Sequence, residues 1–243
     1  MTGARPGVVA RSLSKHYGEG NTYVQALKEA GFEIQPGEVV ALLGPSGSGK
    51  STLLTILGLI NPPNSGWLEI GGQEVIRDGQ MVGDANLIRR RELGFVFQRS
   101  NLIPFLTAAE NVRLVLELDD VPRREAKRRT HDVMEALGVA DRADHLPAQL
   151  SGGQQQRVAI ARSLIHQPSL LLADEPTASL DKEMGRQVMR LFRSAAKERG
   201  AAVLVVTHDQ RSLDLVDRIF EIEDGVLGIG SEGAATRSTP DAG

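Results

Sequence analysis

The chain of 243 residues is 41% hydrophobic and 24% charged with a net charge of −3. That is enough apolar material for a sizeable core, in one large domain or two small ones, and gives no general electrostatic reason to bind nucleic acid. It has no cysteine, which excludes disulfides, thiolate metal sites and cysteine nucleophiles and fits a reducing compartment.

Met1 to Lys15 lacks the apolar core of a secretory signal. The charge-free stretch Ser51 to Leu68 is broken by Asn61, Pro62, Pro63 and Asn64. Its apolar part spans only about two helical turns, too short for a bilayer. The expectation is a soluble chain whose membrane association, if any, comes through a partner. Val8 to Leu13 and Ala26 to Ile34 read as strands flanking a polar loop, Tyr17 to Thr22, after a disordered lead. Tyr17 is an aromatic ring among small polar residues. It is either a surface for stacking on a base or an anchor for the loop.

Val39 to Leu43 reads as a buried strand, followed by a glycine-rich turn, Gly44-Pro45-Ser46-Gly47-Ser48-Gly49-Lys50-Ser51-Thr52, and a helix to Leu59. Gly44, Gly49, Lys50 and Ser51 match G-x-x-x-x-G-K-[ST] with the strand before it and the helix after it that the motif requires. Glycines let the backbone N–H groups turn inward, and the helix N-terminus adds positive potential. Lys50 is expected to reach the β- and γ-phosphates of a nucleotide, and the Ser51 hydroxyl to ligate Mg²⁺.

Pro62 and Pro63 break the chain. Trp67 to Ile70, with Gly71-Gly72 after it, reads as a strand and turn beside the N-terminal strands. Leu87 to Arg91 reads as a basic helix and Gly94 to Phe97 as a short buried strand ending on Gln98. Beyond a parallel strand's C-terminal end, Gln98 lies at the ligand edge of a sheet; otherwise it is a solvated loop residue. From about Asn101 to Leu150 strand patterns vanish. Ala108 to Leu118, Arg123 to Leu137 and the connector Asp141 to Pro147 read as a helical insertion, and the basic cluster Arg123, Arg124, Lys127, Arg128 and Arg129 as a solvated helix face.

Leu150-Ser151-Gly152-Gly153-Gln154 opens a helix to Ile165, with Ser151 as N-cap, a second glycine-rich helix start. Leu170 to Ala173 is an apolar strand ending in Asp174 and Glu175, the form of a Walker B strand: Asp174 is placed to hold Mg²⁺ and Glu175 to polarise a water. Pro176 to Asp181 is a turn before a helix, Lys182 to Arg199. Ala202 to Thr207 is a further buried strand with His208 at its end, suited to a γ-phosphate contact. Phe220 to Ile222 and Val226 to Ile229 form a closing hairpin. Gly228, Gly230 and Gly233 spell G-x-G-x-x-G, but no helix follows, so a dinucleotide fingerprint is rejected. Residues 231–243 read as a disordered tail.

With these stations in order, the chain resembles the ATP-binding subunits of ABC transporters from about Val8 to Gly228, with Leu150 to Gln154 as the LSGGQ signature. The resemblance implies an α/β fold of the P-loop NTPase (RecA-like) type. It would have a mostly parallel core sheet with an antiparallel β subdomain over residues 8–98 and 156–229, and a helical subdomain carrying the signature over 99–155. It implies an ATPase using ATP and Mg²⁺, with Tyr17 on adenine and Gln98 as the Q-loop residue linking Mg²⁺ to a transmembrane partner. Ser151, Gly152, Gly153 and Gln154 would face the γ-phosphate of ATP held by a second copy. Asp174 would hold metal, Glu175 would orient water, Asp181 would lie in the D-loop at the subunit interface, and His208 would be the switch histidine.

The family usually reads Ser-Ala-Leu-Asp where this chain has Ala178-Ser179-Leu180-Asp181, although Ser179 still offers a hydroxyl. Arg89-Arg90-Arg91, Gly94 to Gln98, Asn101 to Pro104 and Glu110-Asn111-Val112 resemble the macrolide-exporter and lipoprotein-release group, and Phe105 to Ala108 its DevA-like relatives. The expected partners are a second copy in a head-to-tail dimer and an integral membrane permease, with no nucleic acid and no membrane insertion of its own. The expected location is the cytoplasmic face of the membrane. Leu102, Ile103 and Phe105 are either the surface that grips the permease or core of the insertion. Other classes remain: a soluble ABC ATPase, which usually carries paired nucleotide domains, coiled-coil insertions or zinc cysteines, and a regulatory machine that signals through the membrane without moving cargo.

Overall fold

The computed structural model describes residues 7–207 and 210–232. In chain order the elements are strands β1 (Val8–Tyr17), β2 (Val24–Ile34) and β3 (Val39–Leu43); helix α1 (Lys50–Leu57); strands β4 (Ser65–Ile70), β5 (Gln73–Arg77) and β6 (Gln80–Met81); helix α2 (Ala85–Glu92); strand β7 (Leu93–Val96); helices α3 (Ala108–Glu117), α4 (Arg123–Ala136) and α5 (Gly152–Leu164); strand β8 (Leu170–Asp174); helix α6 (Lys182–Arg199); and strands β9 (Ala202–Val206), β10 (Arg218–Glu223) and β11 (Val226–Glu232).

They form two sheets, one ordered β2-β1-β4-β5-β6 and the other β11-β10-β3-β9-β8-β7. The first is antiparallel, with Val8 opposite both Ile34 and Ile70. In the second, β10, β3, β9, β8 and β7 run parallel and β11 closes the edge antiparallel. Parallel strands covered on both faces read as continuous apolar runs, and β3, β8 and β9 do so. Alternate residues go to opposite faces. Val40, Leu42, Leu170, Leu172, Leu204 and Val206 pack with Leu53, Leu54, Ile56 and Leu57 of α1 and with the antiparallel sheet. Val39, Ala41, Leu171, Ala173, Val203 and Val205 pack with α3 to α6, where Phe192 is fully buried. The core is a sheet between two apolar layers.

Helix ends follow their punctuation. Asp181 caps α6 by accepting from the Met184 N–H at 2.9 Å, and Gly200 ends it in the left-handed region at φ 69°. On α4, Glu125 is held between Arg128 and Arg129, which draw its carboxyl down to about 2. The basic cluster is thus partly ion-paired along its own helix.

The structure departs from the sequence reading at two places. β1 continues through Tyr17, past Ser12 at φ 48° and a series of register shifts, so Tyr17 ends a strand rather than lying in a loop. A bulge breaks alternation, and the pattern stops where the strand does not. β5 and β6, short and polar, extend the antiparallel sheet beyond β4. The helix that opens with the signature runs on to Leu164, as its sequence predicts, and packs against β7 and the core. Among the described residues no helix is long and apolar enough to cross a membrane.

Candidate functional site

The C-terminal ends of β3, β8 and β7 gather the chemistry. After β3 the loop turns through Gly44, Gly47 and Gly49, all at positive φ, into α1. No side chain caps α1 and no acid sits in its first turn, so its leading N–H groups are left for an anion from outside. Lys50 Nζ donates to the carbonyls of Gly44 at 2.8 Å and Pro45 at 2.6 Å, which holds the ammonium over the loop. Ser48 is 3% exposed and its Oγ has no partner. A buried hydroxyl without a hydrogen bond is costly, and together with the uncapped helix it fits a site built to close around phosphate oxygens. Ser51 and Thr52 follow in the first turn of α1, with Ser51 exposed.

Asp174 ends β8 opposite Val206, and the Glu175 N–H donates to the Val206 carbonyl at 2.9 Å. Burial pushes the Asp174 carboxyl above its ordinary value, the neighbouring Glu175 charge pushes it further, and Lys50 pulls it back. The phosphate loop and the acidic strand end are therefore within electrostatic reach. A half-buried carboxylate pushed upward is one that a cation would relieve. In the nucleotide-free protein the sign is unfavourable. Asp174 is tolerated when neutral at low pH, and stability is lost as pH rises through its raised value. Asp174→Asn should therefore melt at a higher temperature than the wild type in EDTA at neutral pH, while losing the extra stability that Mg²⁺ and nucleotide confer together. Thermal denaturation with and without ligand checks both signs.

Gln98 lies exposed just beyond β7. Tyr17 is 41% exposed, and its hydroxyl accepts from Asn61 Nδ2 at 2.9 Å. Lys15 Nζ lies 5.4 Å from its ring centroid and donates to Asn61 Oδ1. Its tip is tied down while part of the ring stays open, so features of both sequence readings meet in one side chain. His208 lies outside the described residues.

Ser151 caps α5, accepting from the Gln154 N–H at 3.3 Å while its own N–H donates to Gln154 Oε1 at 2.9 Å. A side chain on Gly152 would meet nothing within 4 Å, whereas one on Gly153 would lie 3.5 Å from Leu180. The signature thus presents an open face beside Ser179 and Leu180, just ahead of Asp181. It does not join its own phosphate loop. β9 and β8 separate that loop's strand from β7, against which α5 packs, a lateral offset between the two strands of ~14 Å at ~4.8 Å per strand spacing.

Of the three apolar residues after Gln98, Leu102 packs against the second core layer and Ile103 is half-buried, while Phe105 is 78% exposed. A groove of about 560 Å³ opens between α2, β7, α3 and α5, lined by Leu87, Phe95, Phe97, Leu118, Arg90 and Arg162 among others and by none of these three. Sequence reasoning missed the residues that shape this region. Asn111, fully buried, donates to the carbonyls of Ile103, Leu106 and Thr107 and accepts from the Ile103 N–H. Gln155, Gln156 and Arg162 on α5 bond the segment around Gln98. The one available signal was a run of glutamines following the signature.

Fold and loop together define a P-loop nucleoside triphosphatase. The profile described as ABC transporter matches residues 27–178, and the chain belongs to that family and is an ABC-type ATPase. It is 48% identical over 213 residues to an uncharacterised ABC transporter ATP-binding protein of Thermotoga maritima, covering 87% of this chain and 89% of that one. It is 42% identical to the lipoprotein-releasing system ATP-binding protein LolD of Novosphingobium aromaticivorans, over 91% of this chain and 98% of LolD. It is also 42% identical to the macrolide export ATP-binding/permease protein MacB of Rhodopseudomonas palustris, over 92% of this chain but 34% of MacB. Among solved structures, the dimeric post-hydrolysis state of the ATP-binding cassette MJ0796, bound to ADP and Pi, superposes with a TM-score of 0.82 at 40% identity, over 91% of this chain and 98% of that one.

Proposed function

We propose that this chain is the ATP-hydrolysing motor of an ABC exporter, working as a head-to-tail pair with a second copy and driving a separate membrane subunit from the cytoplasmic face. The observation that carries the reading is the lateral offset between the phosphate loop and the signature within one chain. Two copies related by a two-fold axis would set each signature against the other's nucleotide and complete two sites at once. That MJ0796 is seen as a dimer with ADP and Pi supports this, and the likeness to LolD and MacB supports the exporter branch.

The roles follow from the chain's own groups. Residues 44–52 cradle the phosphates through main-chain N–H groups, with Lys50 as the fixed positive charge. Ser51, Asp174 and Gln98 are the residues that would hold Mg²⁺, which when bound neutralises charge on the β- and γ-phosphates. Glu175 orients the attacking water and accepts its proton, and His208 contacts the γ-phosphate. Tyr17 presents its ring to adenine. Ser151, Gly152, Gly153 and Gln154 meet the γ-phosphate held by the partner copy, with Asp181 close to the shared interface. Loss of that phosphate removes the contacts common to both copies, and the pair opens; differential binding to closed and open states is what performs work on the membrane subunit. The groove between α2, β7, α3 and α5 and the exposed Phe105 are the surfaces where that subunit would press.

Tagged Glu175→Gln, held with ATP in mildly detergent-solubilised membranes and analysed by mass spectrometry, tests the partner. A polytopic membrane protein retained in stoichiometric amount with ATP and lost with ADP is the expected result. Recovery of soluble proteins or RNA alone would contradict the reading.

A further inference from the structure

Beyond Val96 and Asp174 the strands β7 and β8 end, and the ladder that sets their spacing ends with them. The next residues along are those expected to do the chemistry, Gln98 on one side and Glu175 on the other. Between the two chain ends lies the amide of Gln156. It is 2% exposed, and Nε2 donates to the carbonyl of Phe97 at 3.1 Å and to that of Pro176 at 3.4 Å. Phe97 immediately precedes Gln98, and Pro176 immediately follows Glu175.

A buried side-chain amide with two hydrogens on one nitrogen has a fixed fork, so the carbonyls that it binds are set a fixed distance apart. Gln156 also sits in the second turn of the helix that the signature opens. Its neighbours strengthen the attachment. Gln155 Oε1 accepts from Ser100 Oγ at 3.2 Å, while its Nε2 donates to Pro147 and Leu150 in the approach to the signature. Arg162, desolvated on the same helix, donates to the carbonyls of Ser100 and Asn101, both at 3.0 Å.

We infer that Gln156 is a positioning residue: it sets the separation of Gln98 and Glu175 and ties both to the signature of their own chain, so that a pull on the signature reaches them. The inference rests on the ATPase reading above. A signature drawn toward the partner's γ-phosphate displaces α5, and α5 cannot move along its axis without carrying the carbonyls of Phe97 and Pro176. Each copy's hydrolytic residues are thereby aligned by what its signature finds in the other copy's site, which makes turnover at the two sites cooperative. Gln156 itself touches no nucleotide in this scheme; its effect passes through the main chain on either side.

Gln156→Met keeps the length and most of the volume and removes both donors. Steady-state ATP hydrolysis and binding of a fluorescent ATP analogue should show kcat down by about tenfold with nucleotide affinity changed by less than about twofold, the pattern of lost alignment rather than lost binding. The Hill coefficient for ATP should fall from about 2 toward 1, which loss of a purely structural bond would not produce. Gln156→Asn, one methylene shorter and able to keep only one of the two bonds, should fall between, and it supplies the same readouts should the methionine variant fail to fold. Wild-type kcat and Hill coefficient in both variants, with Glu175→Gln inactive beside them, would overturn the positioning role and leave the ATPase reading standing. A wild-type chain that hydrolyses no ATP would overturn that reading, and this inference with it.

Discussion

Replacing Glu175 by glutamine should lower kcat by about a hundred- to a thousandfold and leave ATP affinity within about twofold. The glutamate sits in the left-handed region at φ 47° directly after β8. Its N–H is given to Val206 and its carbonyl accepts from the Ala178 N–H at 3.2 Å, so the direction of the side chain is set from both sides by the main chain. Glutamine fits the same backbone and the same volume but cannot accept a proton from water. It also removes the charge that helps push the neighbouring Asp174 carboxyl upward, so Asp174 itself ionises more readily and stays available to a cation. Binding and catalysis then separate cleanly in one substitution. Equal losses in both, or unchanged turnover, would place the base elsewhere.

Gly49→Ala should cost the chain its nucleotide site. Gly49 is at φ 113°, where side chains are rarely found, and an added Cβ would drive into the main-chain carbonyl of Ala26 and against Ile222. Neither the carbonyl nor the strand that bears it can move aside without disturbing β2. Strain of this kind is worth about 3 kcal/mol, and if the loop yields instead of the strand, the N–H groups that converge on phosphate splay. Nucleotide affinity should fall by at least about a hundredfold, measured by calorimetric titration, with the melting temperature of the free protein lowered as well. Gly47, whose added side chain would meet only open space, should be affected much less by clash, so a Gly47→Ala variant separates loop strain from contact with the sheet.

How much of this was legible in the sequence depends on whether the signal was local. Helix α6 was read to the residue because Asp181 and Gly200 punctuate it and its apolar face is regular. β3, β8 and β9 were legible as uninterrupted apolar runs between turns. β1 was cut short because Ser12 breaks its alternation with a bulge, and β5 and β6 carried too little apolar pattern to announce themselves. In the site, the phosphate loop, the signature and the paired acids could be found by spacing, since each is a contiguous stretch whose chemistry is its sequence. What holds them relative to one another could not. Gln156 reaches a carbonyl 59 positions away and Asn111 organises a loop from the helix that follows it, relations that exist only once the chain has folded. Tyr17 shows the middle case: its type was informative, but only the bond from Asn61 explains how a ring at a strand end is held steady while staying partly exposed.

In the proposed mechanism a complete ATP site needs two copies of this chain. The most direct test of this requirement is the solution mass of Glu175→Gln by multi-angle light scattering, with Mg²⁺ and ATP, with Mg²⁺ and ADP, and without nucleotide. The expected result is twice the chain mass with ATP and a single chain in the other two, with Ser151→Arg in the same background abolishing the doubling because it blocks the signature's open face. A chain that binds ATP tightly and remains single would contradict the shared site.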